Sequence, residues 1–347
     1  MAAIPETQTA VVINAFGPEY AKNITIGTIP VPKPGPGEVL LRITCRPLNP
    51  ADVFSALGVY PGFTPKTMPA VLGLEGVGTV AALGEGCTGR LAVGQRCVAT
   101  RWLCVGEGHG TWRQYAAVPE EDLIAIPAEL PDEAACQALI NPIPVVGMFQ
   151  EVGAAKGDHV IVTAAGSALG RMAIGYASKE AGVKVIATVR RAEQVEELKA
   201  AGADEVIVVR GPEDAAAFKE RVLAVTGGKG AAGVLECCAG DMPTIVGPAV
   251  RDGGVIIMYG AMNGIELKWN VVDPLFRGVS MKGFWVWPWM NARSAEERRT
   301  IMERVVRLMA AGVLPPHKVD ARPLEGAVEA LEFQATVGRD AKLVLRG

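Results

Sequence analysis

No apolar run in this 347-residue chain is long enough to cross a bilayer. The longest, such as Val255-Ile256-Ile257-Met258, have the length of a strand, and no membrane partner is expected. Met1 to Ala10 lacks both a basic start and an apolar signal core. A secretory or organelle-targeting segment is therefore not expected, and a cytoplasmic location is, although a transit peptide already removed would leave no trace. No basic stripe is present: acids and bases are interspersed and the formal net charge is −3, which argues against a nucleic-acid partner. Cysteines number only seven, an odd count at irregular spacing in a long chain. That pattern fits a reduced protein better than a disulfide scaffold. No fixed-period repeat or low-complexity tract is visible.

What is present is a chain long enough for two domains, half of it hydrophobic, with 41 Gly and 24 Pro. Residues 1–140 read as β-rich. A Pro/Gly-rich connection, Pro30 to Gly37, leads into a strand over Glu38 to Thr44, and Val93 to Val98 fits a strand entered through a turn. From about Pro142 short apolar runs alternate with helix-like stretches. Strands are expected at His159 to Thr163, Val183 to Val189, Glu205 to Val209, Val234 to Cys237, Val255 to Tyr259 and Met281 to Val286. Helices are expected at Ala168 to Ala181, ended by Gly182, and at Glu193 to Ala201. Six strands with intervening helices predict a doubly wound parallel sheet. After Trp289 come helices over Ala295 to Ala311 and Glu325 to Thr336 and a strand over Lys342 to Leu345. The charges Glu296, Glu297, Arg298, Arg299, Glu303 and Arg304 read as a solvated face.

The segment Thr163-Ala164-Ala165-Gly166-Ser167-Ala168-Leu169-Gly170 lies between a strand and a helix. Small residues there let a backbone approach a pyrophosphate, and the helix N-terminus offers unpaired N–H groups. Against the G-x-G-x-x-G fingerprint the best register gives Ala165, Ser167 and Gly170, so only the last glycine is kept. The next strand ends Thr188-Val189-Arg190-Arg191, with no acid before Glu193. Where a carboxylate would hold a ribose 2′-hydroxyl, two guanidinium groups stand ready for a 2′-phosphate, which points to NADPH.

Glycine pattern and domain order resemble the medium-chain dehydrogenase/reductase superfamily. Many members hold a catalytic zinc with an early Cys and the His of a G-H-E motif. Here Asn49-Pro50-Ala51-Asp52 puts Asn49 at the first position, and Gly73-Leu74-Glu75 puts Leu74 at the second. Leu cannot bind a metal, and the four-Cys lobe of a structural zinc is missing, so no metal is expected. Without a Lewis acid, alcohol oxidation loses its usual means of polarising oxygen. Reduction of a double bond conjugated to a carbonyl remains feasible.

One zinc-free branch is similar along nearly the whole chain: the trans-2-enoyl-thioester reductases of mitochondrial and bacterial type. The likeness is carried by Asn49-Pro50-Ala51-Asp52 with Gly58-Val59-Tyr60, Gly110-Thr111-Trp112-Arg113, Asn141-Pro142, Tyr259-Gly260-Ala261-Met262 and Lys282-Gly283-Phe284-Trp285. The resemblance implies a GroES-like domain (1–140 with 289–347), a Rossmann domain (141–288) with a six-stranded sheet, and a homodimer. It implies Tyr60 as proton donor and Asn141 near the cofactor. Gly166, Ser167, Ala168, Leu169 and Gly170 would form the pyrophosphate turn, and Arg190 and Arg191 the 2′-phosphate clamp. Tyr259, Gly260, Ala261 and Met262 would lie on the nicotinamide side, with Phe284, Trp285 and Lys342 also at the cofactor. Tyr60, Trp285 and Trp287 would line the substrate pocket. Taken alone, Tyr60 before Pro61-Gly62 reads as a turn residue; the resemblance makes it a catalytic candidate. The chain departs from the family at Ala165-Gly166, at Arg191-Ala192 and in the density of Trp285, Trp287 and Trp289.

The resulting expectation is NADPH-dependent reduction of a 2-enoyl thioester, with a small-molecule acyl thioester or an acyl carrier protein as the partner. Two alternatives stay open: a quinone or general enone oxidoreductase, and a non-catalytic NADPH-binding protein.

Overall fold

The computed structural model describes residues 3–336 and 341–347, apart from the side chains at 103 and 104. The chain forms two compact units. The first is Met1–Ile140 with Met290–Ala310 and Pro316–Gly347; the second is Asn141–Trp289 with Ala311–Pro315.

The first unit is built around the strand Glu38–Pro47, whose Val39, Leu40, Leu41 and Ile43 are at most 1% exposed. It pairs antiparallel with Val77–Leu83, Tyr115–Pro119 and Lys342–Arg346. Gly78 is needed here, because a Cβ would lie 2.6 Å from Arg42 O. Lys342–Arg346 in turn pairs in parallel with Val319–Pro323, so the C-terminal segment completes the sheet. A separate three-stranded sheet joins Ile24–Pro30, Thr7–Ile13 and Ala70–Val71.

The helix Ala295–Ala310 corrects one expectation. Arg298 is only 4% exposed rather than solvated. Its Nη2 lies 2.8 Å from Asp122 Oδ1, and Arg101 Nε donates to Asp122 Oδ2 at 2.8 Å. Asp122 is fully buried, and a buried carboxylate is tolerated only when paired.

The second unit holds six parallel strands in the order Glu205–Val208, Lys184–Val189, His159–Val162, Ala231–Glu236, Val250–Met258, Ser280–Gly283. Numbered along the chain this is 3-2-1-4-5-6, the doubly wound order. Central strands of such a sheet are covered on both faces, and Ile161, Ile186, Val234 and Ile256 are accordingly 0% exposed. The helix Ala168–Tyr176 runs into a π turn, Ala177–Ala181, closed by Gly182 at φ 65°.

Two boundaries differ from the sequence reading. The sixth strand stops at Gly283, and Val286–Asn291 is a helix. Pro288 falls in its first turn, where a missing N–H costs nothing, whereas inside a strand it would break a ladder bond. Trp289 and residues 311–315 group with the second unit. The Trp289 ring packs 5.6 Å from that of Phe284, and Lys179 Nζ donates to Gly312 O at 3.0 Å. Among the described residues no helix is long and apolar enough to cross a membrane.

Candidate active site

The first and fourth strands of the parallel sheet are neighbours at the point where the strand order reverses, and ligands of such sheets bind outside the carboxyl ends there. The first strand leaves through Thr163-Ala164-Ala165-Gly166-Ser167. Ala164 turns at φ 45°, and Ala165 N donates to Thr188 O of the neighbouring strand at 3.0 Å. Ser167 caps the helix Ala168–Tyr176, its hydroxyl accepting from Gly170 N at 3.1 Å. Ala168 and Leu169 therefore supply the first-turn N–H groups that face outward. Gly170 has no room for a side chain: a Cβ would sit 2.6 Å from Ala165 Cα and O. This is the close helix–strand approach that the last glycine of the fingerprint provides.

Arg171 was not singled out in the sequence. Its Nε donates to Gly166 O at 3.2 Å, and its two terminal nitrogens fork onto Glu197 at 2.7 and 3.0 Å. An arginine one turn into the helix after such a loop was the available signal. Arg190 and Arg191 follow the second strand, are exposed, and pair with no acid among the described residues. Asn141 precedes the helix Pro142–Val152, and its Nδ2 is buried with no partner. Free guanidinium groups, open helix donors and a buried orphan amide fit a phosphorylated dinucleotide.

The fifth strand ends in Tyr259-Gly260-Ala261-Met262. A Cβ on Gly260 would lie 2.9 Å from Cys237 Cβ, so glycine sets the approach of this loop to the end of the fourth strand. Phe284 and Trp285 line a cavity of about 560 Å³ with Ile257, Met258, Pro288 and Trp289. Trp285 is 40% exposed and Phe284 8%. Trp287 is not among the lining residues.

The first unit holds Tyr60 and a buried polar cluster. Tyr60 is half-buried in the turn after the helix Pro50–Leu57, its N donating to Phe54 O at 3.2 Å. The cluster centres on the carboxamide of Asn49. Lys342 Nζ donates to Asn49 Oδ1 at 2.6 Å, and Asn49 Nδ2 donates to Glu75 Oε1 at 2.9 Å. Glu75 Oε2 accepts from Leu139 N and Ile140 N at 3.1 and 2.9 Å. Asp52 Oδ2 accepts from Asn49 N at 2.7 Å, while its Oδ1 is buried without a partner. Burial pushes the Asp52 carboxyl up to about 7. Burial also raises Glu75, against the pull of the Lys342 ammonium and then of its hydrogen bonds. One ammonium faces two carboxyl groups, so the cluster is neutral when one of them keeps its proton. Leu74 is fully buried. Lys342, expected at the cofactor, has its ammonium on Asn49 within the first unit.

The chain is similar to known proteins. Residues 35–128 match the alcohol dehydrogenase GroES-like domain and residues 168–305 the zinc-binding dehydrogenase family model. A mitochondrial enoyl-acyl-carrier-protein reductase of Mus musculus is 31% identical over 304 residues, 85% of this chain and 77% of that protein. A solved NAD-dependent alcohol dehydrogenase is 30% identical, superposes with a TM-score of 0.80 and covers 98% of this chain and 99% of its own. Escherichia coli quinone oxidoreductase, solved with NADPH, shares the fold at a TM-score of 0.81 and 22% identity, covering 98% of this chain and all of its own. A GroES-like domain, a six-stranded Rossmann sheet and a relative at 31% identity place this chain in the medium-chain dehydrogenase/reductase superfamily, among its enoyl-reductase-like members.

Proposed function

We propose that the protein reduces the carbon–carbon double bond of a 2-enoyl thioester with NADPH. The observation that carries this reading is the 31% identity, over 85% of the chain, to a named enoyl reductase. The site chemistry supports it. Asn49 and Leu74 stand where related dehydrogenases present metal ligands, and the Asn49 carboxamide is held by Lys342 and Glu75.

Arg190 and Arg191 would hold the 2′-phosphate, Ala168 N and Leu169 N the pyrophosphate, and Asn141 Nδ2 a polar edge of the nicotinamide half. NADPH, when bound, supplies the hydride that adds to the β-carbon. The Tyr60 phenol donates the proton that the α-carbon then takes up. A tyrosine hydroxyl is an O–H donor and can serve as that general acid. Phe284 and Trp285 offer an apolar wall to an acyl chain. The substrate is carried as a thioester of coenzyme A or of an acyl carrier protein.

We also propose a homodimer. The second unit exposes Ile265, Val271, Leu275 and Phe276, from 65 to 96%, in the stretch of chain that leads into the edge strand Ser280–Gly283. Exposed apolar side chains and an open sheet edge are what a second copy would cover.

The decisive assay is NADPH oxidation with crotonyl-CoA, a simple quinone and an unsaturated ketone side by side. Turnover with crotonyl-CoA above the others is expected. Preference for the quinone would move the assignment to quinone or enone reduction, which uses the same scaffold. Cofactor binding without turnover would leave a non-catalytic NADPH-binding protein.

A further inference from the structure

The strands His159–Val162 and Ala231–Glu236 lie side by side at the point where the strand order reverses. At their carboxyl end sits a carboxylate with 0% exposure, Glu236. It has no ion-pair partner among the described residues. Its Oε1 accepts from Thr163 Oγ1 at 3.2 Å and from Cys238 N at 2.7 Å, and its Oε2 accepts from Ala239 N at 3.0 Å. Its main-chain carbonyl accepts from Tyr259 N at 2.9 Å. The carbonyls of Cys237 and Cys238 then accept from Met262 N and Asn263 N at 3.0 and 2.7 Å. The side chain thus ties the end of the first strand to the loop 237–240, and the main-chain carbonyls of Glu236, Cys237 and Cys238 in turn hold the loop 259–263.

The backbone held this way is strained. Among the described residues only Ala164 and Ala239 adopt positive φ without being glycine, at 45° and 59°. They follow the first and fourth strands, one on each side of the crevice. Strain of this kind persists where the surroundings over-determine it, and it gathers at ligand sites. Burial raises the Glu236 carboxyl above the ordinary range, and the N–H groups of Ala239 and Cys238 with the Thr163 hydroxyl pull it back. An apolar residue would fill the space but leave both N–H groups orphaned.

We propose that Glu236 is a positioning residue, which fixes the loops 237–240 and 259–263 in the shape that receives the nicotinamide half of the cofactor. The proposal rests on the cofactor reading given above. Glu236→Gln keeps the size but presents one acceptor in place of two, so one loop N–H loses its partner.

The expected result is a rise of about tenfold in the Kd for NADPH. The KM for the acyl substrate should change little. In the cofactor-free protein, hydrogen exchange at the amides of Cys238, Ala239, Met262 and Asn263 should quicken by about tenfold, while Val160 to Val162 stay protected. Glu236→Asp, which keeps the charge, should recover part of both effects, and it carries the test alone if the Gln variant does not fold. Unchanged Kd and unchanged loop exchange would overturn the proposal. So would a lowered thermal midpoint with NADPH binding intact, the mark of a purely structural role. A wild-type protein that binds neither NADPH nor NADH would overturn the cofactor reading itself, and the exchange arm, run without cofactor, keeps the two failures apart.

Discussion

Lys342 Nζ lies 2.6 Å from Asn49 Oδ1 across a sequence separation of 293 residues. The same carboxamide gives its other end to Glu75, so a neutral group relays between a buried ammonium and a buried carboxyl group. Removing the cation strands the carboxylates. Lys342→Met should cost about 3–5 kcal/mol of stability, as breaking a buried pair does. Urea unfolding would measure it, and a loss near zero would show that the ammonium does not support the cluster.

Asp52 links this cluster to pH. Its folded value of about 7 lies above the ordinary aspartate range, so the folded state holds a proton that the unfolded state has released. That contribution is fully present below about pH 4 and is lost as the pH rises to about 7, beyond which it is flat. Asp52→Asn should remove this share of the slope and raise the thermal midpoint at pH 8. Stability curves of both proteins from pH 4 to 8 decide it, and parallel curves would contradict the raised pKa.

Arg190 and Arg191 present guanidinium groups without an acid partner among the described residues. Arg190→Ala should lower preference for NADPH over NADH by about tenfold, mostly through weaker NADPH binding. Titration with each cofactor gives the ratio; a ratio equal to that of the wild type would place the 2′-phosphate elsewhere.

Tyr60→Phe removes one hydroxyl from a half-buried ring. With crotonyl-CoA, kcat should fall by about 100-fold, the ordinary contribution of a positioned acid, while the Kd for NADPH stays the same. Unimpaired turnover would end the role of Tyr60 as proton donor.

The parallel sheet was legible because its strands are short apolar runs separated by glycines and helical stretches, and the close fit of Gly170 at the nucleotide turn follows from that local pattern. The sixth strand was overextended because Phe284-Trp285-Val286-Trp287 is as apolar as a strand. Only Pro288, read as helical first-turn chemistry, marks the helix that replaces it. Arg298 was misread because nothing local announces that Asp122, 176 residues away, needs a buried partner. The carboxylate role of Glu236 is hidden for the same reason. Its acceptors face N–H groups and a hydroxyl brought close by strand pairing, which periodicity does not report.

The strand Lys342–Arg346 pairs with Glu38–Pro47 in the first unit, while all six strands of the second unit lie between them in the sequence. On a translating ribosome the second unit can therefore mature while the first still has an open edge at Cys45–Pro47, with Asn49 and Glu75 lacking their ammonium. Translation that stalls before Lys342 would release an intermediate whose Rossmann sheet is complete and whose GroES-like sheet invites foreign strands.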